Sequence, residues 1–370
     1  MTMLATRIAI VGGGLAGLYA ARLLEEKGMR DYVLLEARGT WGGRIASALP
    51  ASDSAPLDRF DLGPTWFWPA YQPQLDRLIR SLGIECFAQH ENGDMVVEYA
   101  PNEAPTRTRG YVSSSPSIRL AGGMGALVDA VRRDLSPAQL FAGQSVQSLH
   151  CDGRHVALDA EDAQGQITSY CAEHVLLGVP PRLALAAIDF SPALPETTAR
   201  AWRGMATWMA SHAKYVAIYD EPFWRARGLS GEARSGRGPL GEIHDASVPG
   251  GSAALFGFFG VPARVRRGVS DEVLRSHCRA QLARLFGAQA AAPKVDFVKD
   301  WAADPRTATQ ADQDGPGHHG IAPTASVATG PWQGRITGIA SEWSLQFPGY
   351  VAGAVDAATD GITTLLEQRP

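Results

Sequence analysis

No run of 18 or more uninterrupted apolar residues occurs in the 370 residues, so no helical membrane span is expected. Neither sign of charge is in excess. Lys and Arg total 34 against 38 Asp and Glu, a net charge of −4, without the basic stripe that nucleic-acid binding requires. Cysteine is scarce and scattered: Cys86, Cys151, Cys171 and Cys278 form no CxxC pair. They suit a reducing compartment, and the cytoplasm is the expected location. Internal repeats and low-complexity tracts are lacking too. The apolar N-terminal stretch is broken by glycines, so it is expected to be structure and not a signal peptide. What is present is globular: 45% hydrophobic and 19% charged residues, with length for two modest domains or one large one carrying an inserted lobe.

Ile8-Ala9-Ile10-Val11-Gly12-Gly13-Gly14-Leu15-Ala16-Gly17 reads as a strand, a glycine turn and a helix start, spaced to hold a dinucleotide. Gly12 permits the tight turn, Gly14 lets backbone approach a pyrophosphate, and Gly17 lets helix and strand pack closely. The helix N-terminus offers free N–H groups and a positive dipole end to the phosphates. A second apolar run, Tyr32-Val33-Leu34-Leu35, ends at Glu36, where an acid takes the ribose hydroxyls and repels a 2′-phosphate. An ordinary structural turn explains the glycines alone but not strand, helix and acid together.

Further on, Glu36-Ala37-Arg38-Gly39-Thr40-Trp41-Gly42-Gly43-Arg44 either brings backbone and Arg44 close to a cofactor's phosphates or, taken alone, is a surface turn with a solvated arginine. Phe60-Asp61-Leu62-Gly63-Pro64-Thr65-Trp66-Phe67-Trp68-Pro69 is either a core strand or the wall of an apolar pocket. Helical spacing places Leu75, Leu78, Ile79 and Leu82 on one face, and a glycine turn opens a second helix near Gly122-Gly123. Short strands fill 84–120. A meander follows over 145–150, 155–158 and 167–171, ending in strand 175–179 before Pro180-Pro181. Alternation gives strands at 214–219 and 253–259. An amphipathic helix over 271–286 carries Val273, Leu274, Cys278, Leu282 and Leu285 on one face. Residues 302–334 form a Pro/Gly-rich loop of functional length. A strand at 335–339 and a final helix from 349, burying Val351, Val355, Ala358, Ile362 and Leu365, close the chain.

These landmarks resemble, in order and from end to end, the flavin-containing amine oxidase family of monoamine, polyamine and L-amino-acid oxidases. The matching stretches are VGGGLAG, EARGTWGGR, FDLGPTWFWP, RLAGGMGALVDAV, HVLLGVPP, HAKYVAIYDEPFW and ASEWSLQFPGYVAGAV. The resemblance implies an α/β fold with a discontinuous Rossmann-like FAD-binding domain over 1–68, 114–200 and 305–370. An α+β substrate domain is inserted at 69–113 and 201–304. It further implies that Gly12, Gly14, Leu15, Ala16 and Gly17 line the pyrophosphate and that Glu36 binds the ribose. Ala37, Arg38, Gly43 and Arg44 follow the dinucleotide, and Gly63, Pro64, Thr65 and Trp66 run past the flavin ring. Val146 meets adenine, Glu342 the ribityl and phosphate portion, and the Val351 N–H the flavin pyrimidine end. Lys214 matches the family lysine that holds a water against flavin N5, whereas a strand lysine without that context would reach to solvent. The reaction implied is transfer of a hydride equivalent from a small amine to FAD, with O2 as acceptor.

The chain also departs from the pattern. The stretch 304–313, comparable with the tethering segment of monoamine oxidases, has no cysteine, so non-covalent FAD is expected. Of two aromatics framing the substrate nitrogen, Tyr350 is one, while the partner position falls near Ala311; Trp301, Trp343 or Phe347 can substitute. Trp66 stands where L-amino-acid oxidases carry a carboxylate-binding arginine. With Phe67 and Trp68 it favours an apolar or aromatic substrate, or plain core packing. Thr40 replaces a commonly basic residue. The chain is short for the family, so the pocket is open or shared with a partner chain, a second copy or another subunit. A non-amine substrate, as in protoporphyrinogen oxidase-like or renalase-like proteins, and a non-catalytic FAD-binding subunit are the alternatives. Adjacent His318-His319 lack a third ligand, so no metal site is expected.

Overall fold

The computed structural model describes residues 3–51, 58–99, 103–110, 113–314 and 321–367; His318-His319 lie outside them. The chain forms two compact units, Met1–Ile45, Leu127–Ala210 and Pro305–Pro370 in one and Ala46–Ala126 with Ser211–Asp304 in the other. Residues 46–68 and 114–126, expected with the dinucleotide lobe, group with the second unit. The cause is packing: Phe60, Leu62 and Trp66 share a core with Val216, Ile218, Ala254 and Phe256, and Arg119 donates to Ala246 O and Ser247 O.

The first unit is built on an eight-stranded sheet. Strand Leu4–Val11 runs parallel to both Tyr32–Glu36 and Ile167–Leu177, and it is buried on both faces from Ile8 onward. An apolar run without alternation is what a central parallel strand requires. Ser145–Cys151, Val156–Glu161 and Ile167–Leu177 form the expected meander, but its last member is one continuous strand. Helix Leu15–Glu26 buries Leu15, Ala16, Gly17, Leu18, Ala20, Ala21 and Leu24. It ends where Gly28 adopts φ +74°, with Gly28 N–H donating to Glu25 O and Met29 N–H to Leu24 O. That double bond is the glycine-terminated cap of a helix C-terminus. Helix Val351–Glu367 packs against it and buries Ala352, Gly353, Ala354, Val355, Ala357, Ala358, Gly361, Ile362 and Leu365; a Cβ on Gly353 would meet Phe347 O at 2.0 Å, and one on Gly361 the Ile339 side chain at 2.5 Å. Val351 itself is only half-buried, because it stands at the helix start.

The second unit carries a seven-stranded sheet in the order Val295–Asp300, Ala213–Tyr219, Ala253–Phe259, Leu240–Asp245, Leu229–Ser235, Asp94–Glu98 and Thr106–Arg109. Helix Asp271–Phe286 covers one face with Leu274, Cys278, Leu282, Leu285 and Phe286. Val273, expected among them, is exposed instead. Ala213–Tyr219 is paired on both edges and buried at every residue, so its apparent alternation does not mark a solvent face. The sheet's other face packs Val216, Ile218, Ala254 and Phe256 with Phe60, Leu62 and Trp66.

Candidate active site

The glycine turn of the first unit has the clearances its sequence demands. Gly12 adopts φ +106°, closed to a side chain, and a Cβ on Gly17 would lie 2.0 Å from Gly12 O. Around Gly14 there is room: the nearest atom to a Cβ there is Gly42 O at 3.9 Å. Open space beside the N-terminus of a 12-residue helix with no acid in its first turn fits a bound pyrophosphate. Leu15 and Ala16 are buried in that first turn, and Gly43, at φ +60°, lies against Gly14. Glu36 is 4% exposed, and its carboxylate accepts from Gly13 N–H at 2.6 Å and Arg38 N–H at 2.8 Å. Each oxygen keeps a further lone pair for a hydroxyl. Trp41 was not anticipated here: its ring lies over Gly13, 2.5 Å from where a Cβ would sit.

Other expected cofactor residues of this unit meet one another. Arg44 grips the fully buried Glu342 through Nη1 at 2.6 Å and Nη2 at 2.9 Å, and also reaches Ser341 Oγ at 3.1 Å. Arg38 donates to Thr307 Oγ1 at 3.1 Å, and Arg306 to Ser145 Oγ at 2.6 Å beside the buried Val146. Part of the 302–334 segment is therefore pinned to the dinucleotide strands, and Asp312 is held by Arg182 at 2.7 Å and by Thr207 N–H at 2.9 Å. Ala37 is half-buried. Phe347 caps the approach to the last helix, its carbonyl taking Tyr350 N–H at 3.1 Å, and Tyr350 is exposed.

In the second unit the chain's four lysines include one, Lys214, that is 2% exposed. Its Nζ donates to Gly63 O at 3.1 Å and Thr65 Oγ1 at 2.5 Å, and lies 4.1 Å from the Phe256 ring centroid. The turn Gly63-Pro64-Thr65-Trp66 thus meets the lysine that the sequence singled out. Burial lowers the Lys214 ammonium to about 7, against the attraction of Asp61 and with repulsion from Arg119. Trp66 donates from Nε1 to Gln89 Oε1 at 2.8 Å. Its ring stands edge-on to His244 at 4.9 Å and tilts on Phe256 at 5.3 Å. Glu242 takes His244 Nε2 at 2.6 Å and also contacts Arg234. Burial pushes its carboxyl up, but these two partners outweigh it and hold the group at about 2. Trp68 donates from Nε1 to Ser117 Oγ at 3.1 Å. Trp301 is buried with its N–H on Leu62 O at 3.0 Å, under the Lys299 ammonium at 4.4 Å.

Asp61, Gln89, Arg119, Glu242 and His244 were missed by sequence reasoning. Only Asp61 carried a signal, its place at the head of the LGPT turn; Arg119, Glu242 and His244 are ordinary polar residues in strands, and Gln89 one just after a strand, until the sheets are assembled.

A glycine turn followed by a buried acid on the parallel strands of a mixed sheet, and in the same chain a desolvated lysine among aromatic rings, are the features expected of a dinucleotide-dependent oxidoreductase. Residues 104–360 match the family model of flavin containing amine oxidoreductases, and 10–82 that of an NAD(P)-binding Rossmann-like domain. The chain belongs to the flavin-containing amine oxidoreductase family; it is an enzyme that oxidises amines, and its cofactor is FAD. It is 24% identical over 391 residues to a probable flavin-containing monoamine oxidase A of Dictyostelium discoideum, covering 80% of this chain and 83% of that one. The fold is that of a putrescine oxidase solved with putrescine, at TM-score 0.82 and 20% identity over 99% of this chain and 100% of the other. A cyclohexylamine oxidase from Brevibacterium oxydans is similar at TM-score 0.79 and 18% identity, over 98% and 99% of the two chains.

Proposed function

We propose that this chain is an FAD-dependent oxidase of a small apolar or aromatic amine, with Lys214 as its catalytic residue. The observation that carries the reading is a desolvated ammonium held by the Gly63–Thr65 turn and a ring face, with no contacting carboxylate among the described residues. FAD would supply the redox chemistry, acceptance of a hydride equivalent from the amine α-carbon and reoxidation by O2, so that the products are H2O2 and an imine that hydrolyses to aldehyde and ammonia. Gly12, Gly14 and Gly17 shape its pyrophosphate cradle, and Glu36 presents carboxylate oxygens to its ribose hydroxyls. The Arg44–Glu342 pair, Val146 and the first turn at Val351 complete the set that holds it, without a covalent tether. Lys214 orients a water through the N–H that its two acceptors leave over, and it releases a proton near neutral pH because burial has already lowered its hold. Trp66, braced by Gln89, supplies an apolar wall, while Trp301, Phe347 and Tyr350 are the remaining aromatic candidates. Free Cys86, Cys151, Cys171 and Cys278 agree with a cytoplasmic location.

The test is peroxide release and anaerobic flavin bleaching with a panel of amines, set against tetrapyrrole and dihydronicotinamide substrates. Bleaching by small apolar or aromatic amines, with stoichiometric peroxide on aeration, is the expected result. Bleaching by the non-amines alone, or by none, overturns it.

A further inference from the structure

Most buried ionic groups of the second unit touch an opposite charge. Arg266 meets Asp300 at 2.8 Å, Arg284 meets Glu98 at 2.6 Å, and Arg225 meets Asp245 at 2.8 Å. Three groups do not. Lys214, Asp61 and Arg119 are each at most 6% exposed, and among the described residues none has an opposite charge within ion-pair distance. Neutral groups hold each one. Lys214 rests on Gly63 O and Thr65 Oγ1. Asp61 Oδ1 accepts from Met124 N–H at 2.8 Å and Ser47 Oγ at 3.3 Å. Arg119 donates to Ser247 O at 2.9 Å and Ala246 O at 2.8 Å. Desolvating three charges without contact is costly, and such arrangements mark sites where charge itself is used.

Asp61 heads the segment whose Gly63 carbonyl and Thr65 hydroxyl receive the lysine protons. Its carboxylate is fixed at the start of helix Gly123–Arg133, where a Cβ on Gly123 would lie 2.6 Å from Oδ1. Asp61 therefore places a buried carboxylate two residues ahead of Gly63, whose carbonyl accepts from Lys214. We propose that Asp61 is a positioning residue for Lys214, a counter-charge acting through space that governs whether the lysine keeps its proton, with Arg119 opposing it. This deepens the catalytic reading of Lys214 and rests on that reading for its meaning in turnover. Asp61 raises the lysine's hold on its proton and Arg119 lowers it, while Lys214 and Arg119 both draw the Asp61 carboxyl down from where burial pushes it. The other charged groups near this sheet face are matched elsewhere. Lys299, opposite Lys214 in register, is bound to Asp304 at 2.9 Å. Glu242, opposite Phe258, is held by His244 and Arg234, and His212 precedes the strand beside Ser211.

Four lysines make the test direct. Holoenzyme labelled with 13C at lysine Cε is titrated by NMR, with the Lys214 signal assigned by its loss in Lys214→Met. The midpoint is expected to fall by about one unit or more in Asp61→Asn, which can keep the Met124 bond, and to rise in Arg119→Gln. Asp61→Glu restores it towards the wild-type value, and the pH profile of flavin reduction moves in step. An unmoved midpoint in Asp61→Asn overturns the proposal. Should that variant fail to fold, an unmoved midpoint in Arg119→Gln overturns it equally. Midpoints that move while the rate profile stays fixed support the coupling and remove Lys214 from the chemistry.

Discussion

The glycine turn of the first unit and the lysine interior of the second are both buried polar sites, but they settle their charges differently. At the turn the Arg44 fork meets Glu342 with an opposite charge at contact distance, and Glu36 is held by two backbone N–H groups. Around Lys214 the charges stand apart and act through low-dielectric interior. Contact pairing fixes geometry, which suits a coenzyme that must not move. Separated charges leave a group poised to gain or lose a proton, which suits chemistry. On the proposed reading the first arrangement stabilises the fold, and the second gives up stability for chemistry.

The sharpest break in this comparison is at Gly17. Its Cβ position lies 2.0 Å from backbone, so Gly17→Val has no flexible neighbour to displace. We expect roughly 3 kcal/mol or more of destabilisation and loss of FAD, read by thermal unfolding and by flavin absorbance of the purified chain. A yellow, stable variant would mean that the turn is not the coenzyme's seat.

Lys214→Met should do the opposite to stability while removing activity. We expect about tenfold or greater slowing of flavin reduction or reoxidation with FAD retained, measured by stopped flow. The ammonium falls from 10.5 unfolded to about 7 folded because burial outweighs Asp61. Between those values the unfolded chain binds one more proton, so wild-type stability rises with pH across the window; below about 7 the full desolvation cost is present. The methionine variant lacks that slope. Urea unfolding at pH 7 and pH 10 should find the variant's advantage at neutral pH shrinking at pH 10. Parallel pH curves for the two proteins would refute a desolvated lysine.

How far each site was legible follows from the same contrast. The turn could be read directly because its requirements are local: φ at Gly12, clearance at Gly17 and an acid at the end of the next strand. Even there, Trp41 over Gly13 was invisible, since a ring position depends on how the following turn folds back. Lys214 was found only by family resemblance, because its partner Thr65 is 149 residues away. Asp61 and Arg119 gain their roles only when Phe60–Asp61, Ile118–Leu120 and Ala213–Tyr219 are assembled. The unit boundaries shifted for a related reason: Phe60, Leu62 and Trp66 pack on strands Ala213–Tyr219 and Ala253–Phe259, a contact between segments far apart in sequence that no local periodicity shows.

A milder break is Glu342→Gln. It keeps shape but only one of the two acceptors of the Arg44 fork, and it leaves Arg44, about a quarter exposed, without its anion. Partial solvation limits the cost to roughly 2 kcal/mol, and FAD affinity should weaken in parallel, read by fluorescence titration of the apoprotein. Stability and affinity that both stay unchanged would show that the pair is incidental to the coenzyme.

The smallest expected effect is Trp66→Phe, which tests the aromatic wall without touching any charge. Phenylalanine retains a ring against Phe256 and His244 but removes the donor to Gln89 Oε1. Gln89 is buried and its Nε2 is committed to Asp245 O at 2.7 Å, so its orphaned oxygen costs about 1 kcal/mol of stability. Because the brace and not the rings is lost, KM for a bulky aromatic amine should change while kcat for a small one holds. Equal changes in kcat for every amine would place Trp66 in the chemistry beside Lys214, and the wall would then have to be sought at Trp301, Phe347 or Tyr350.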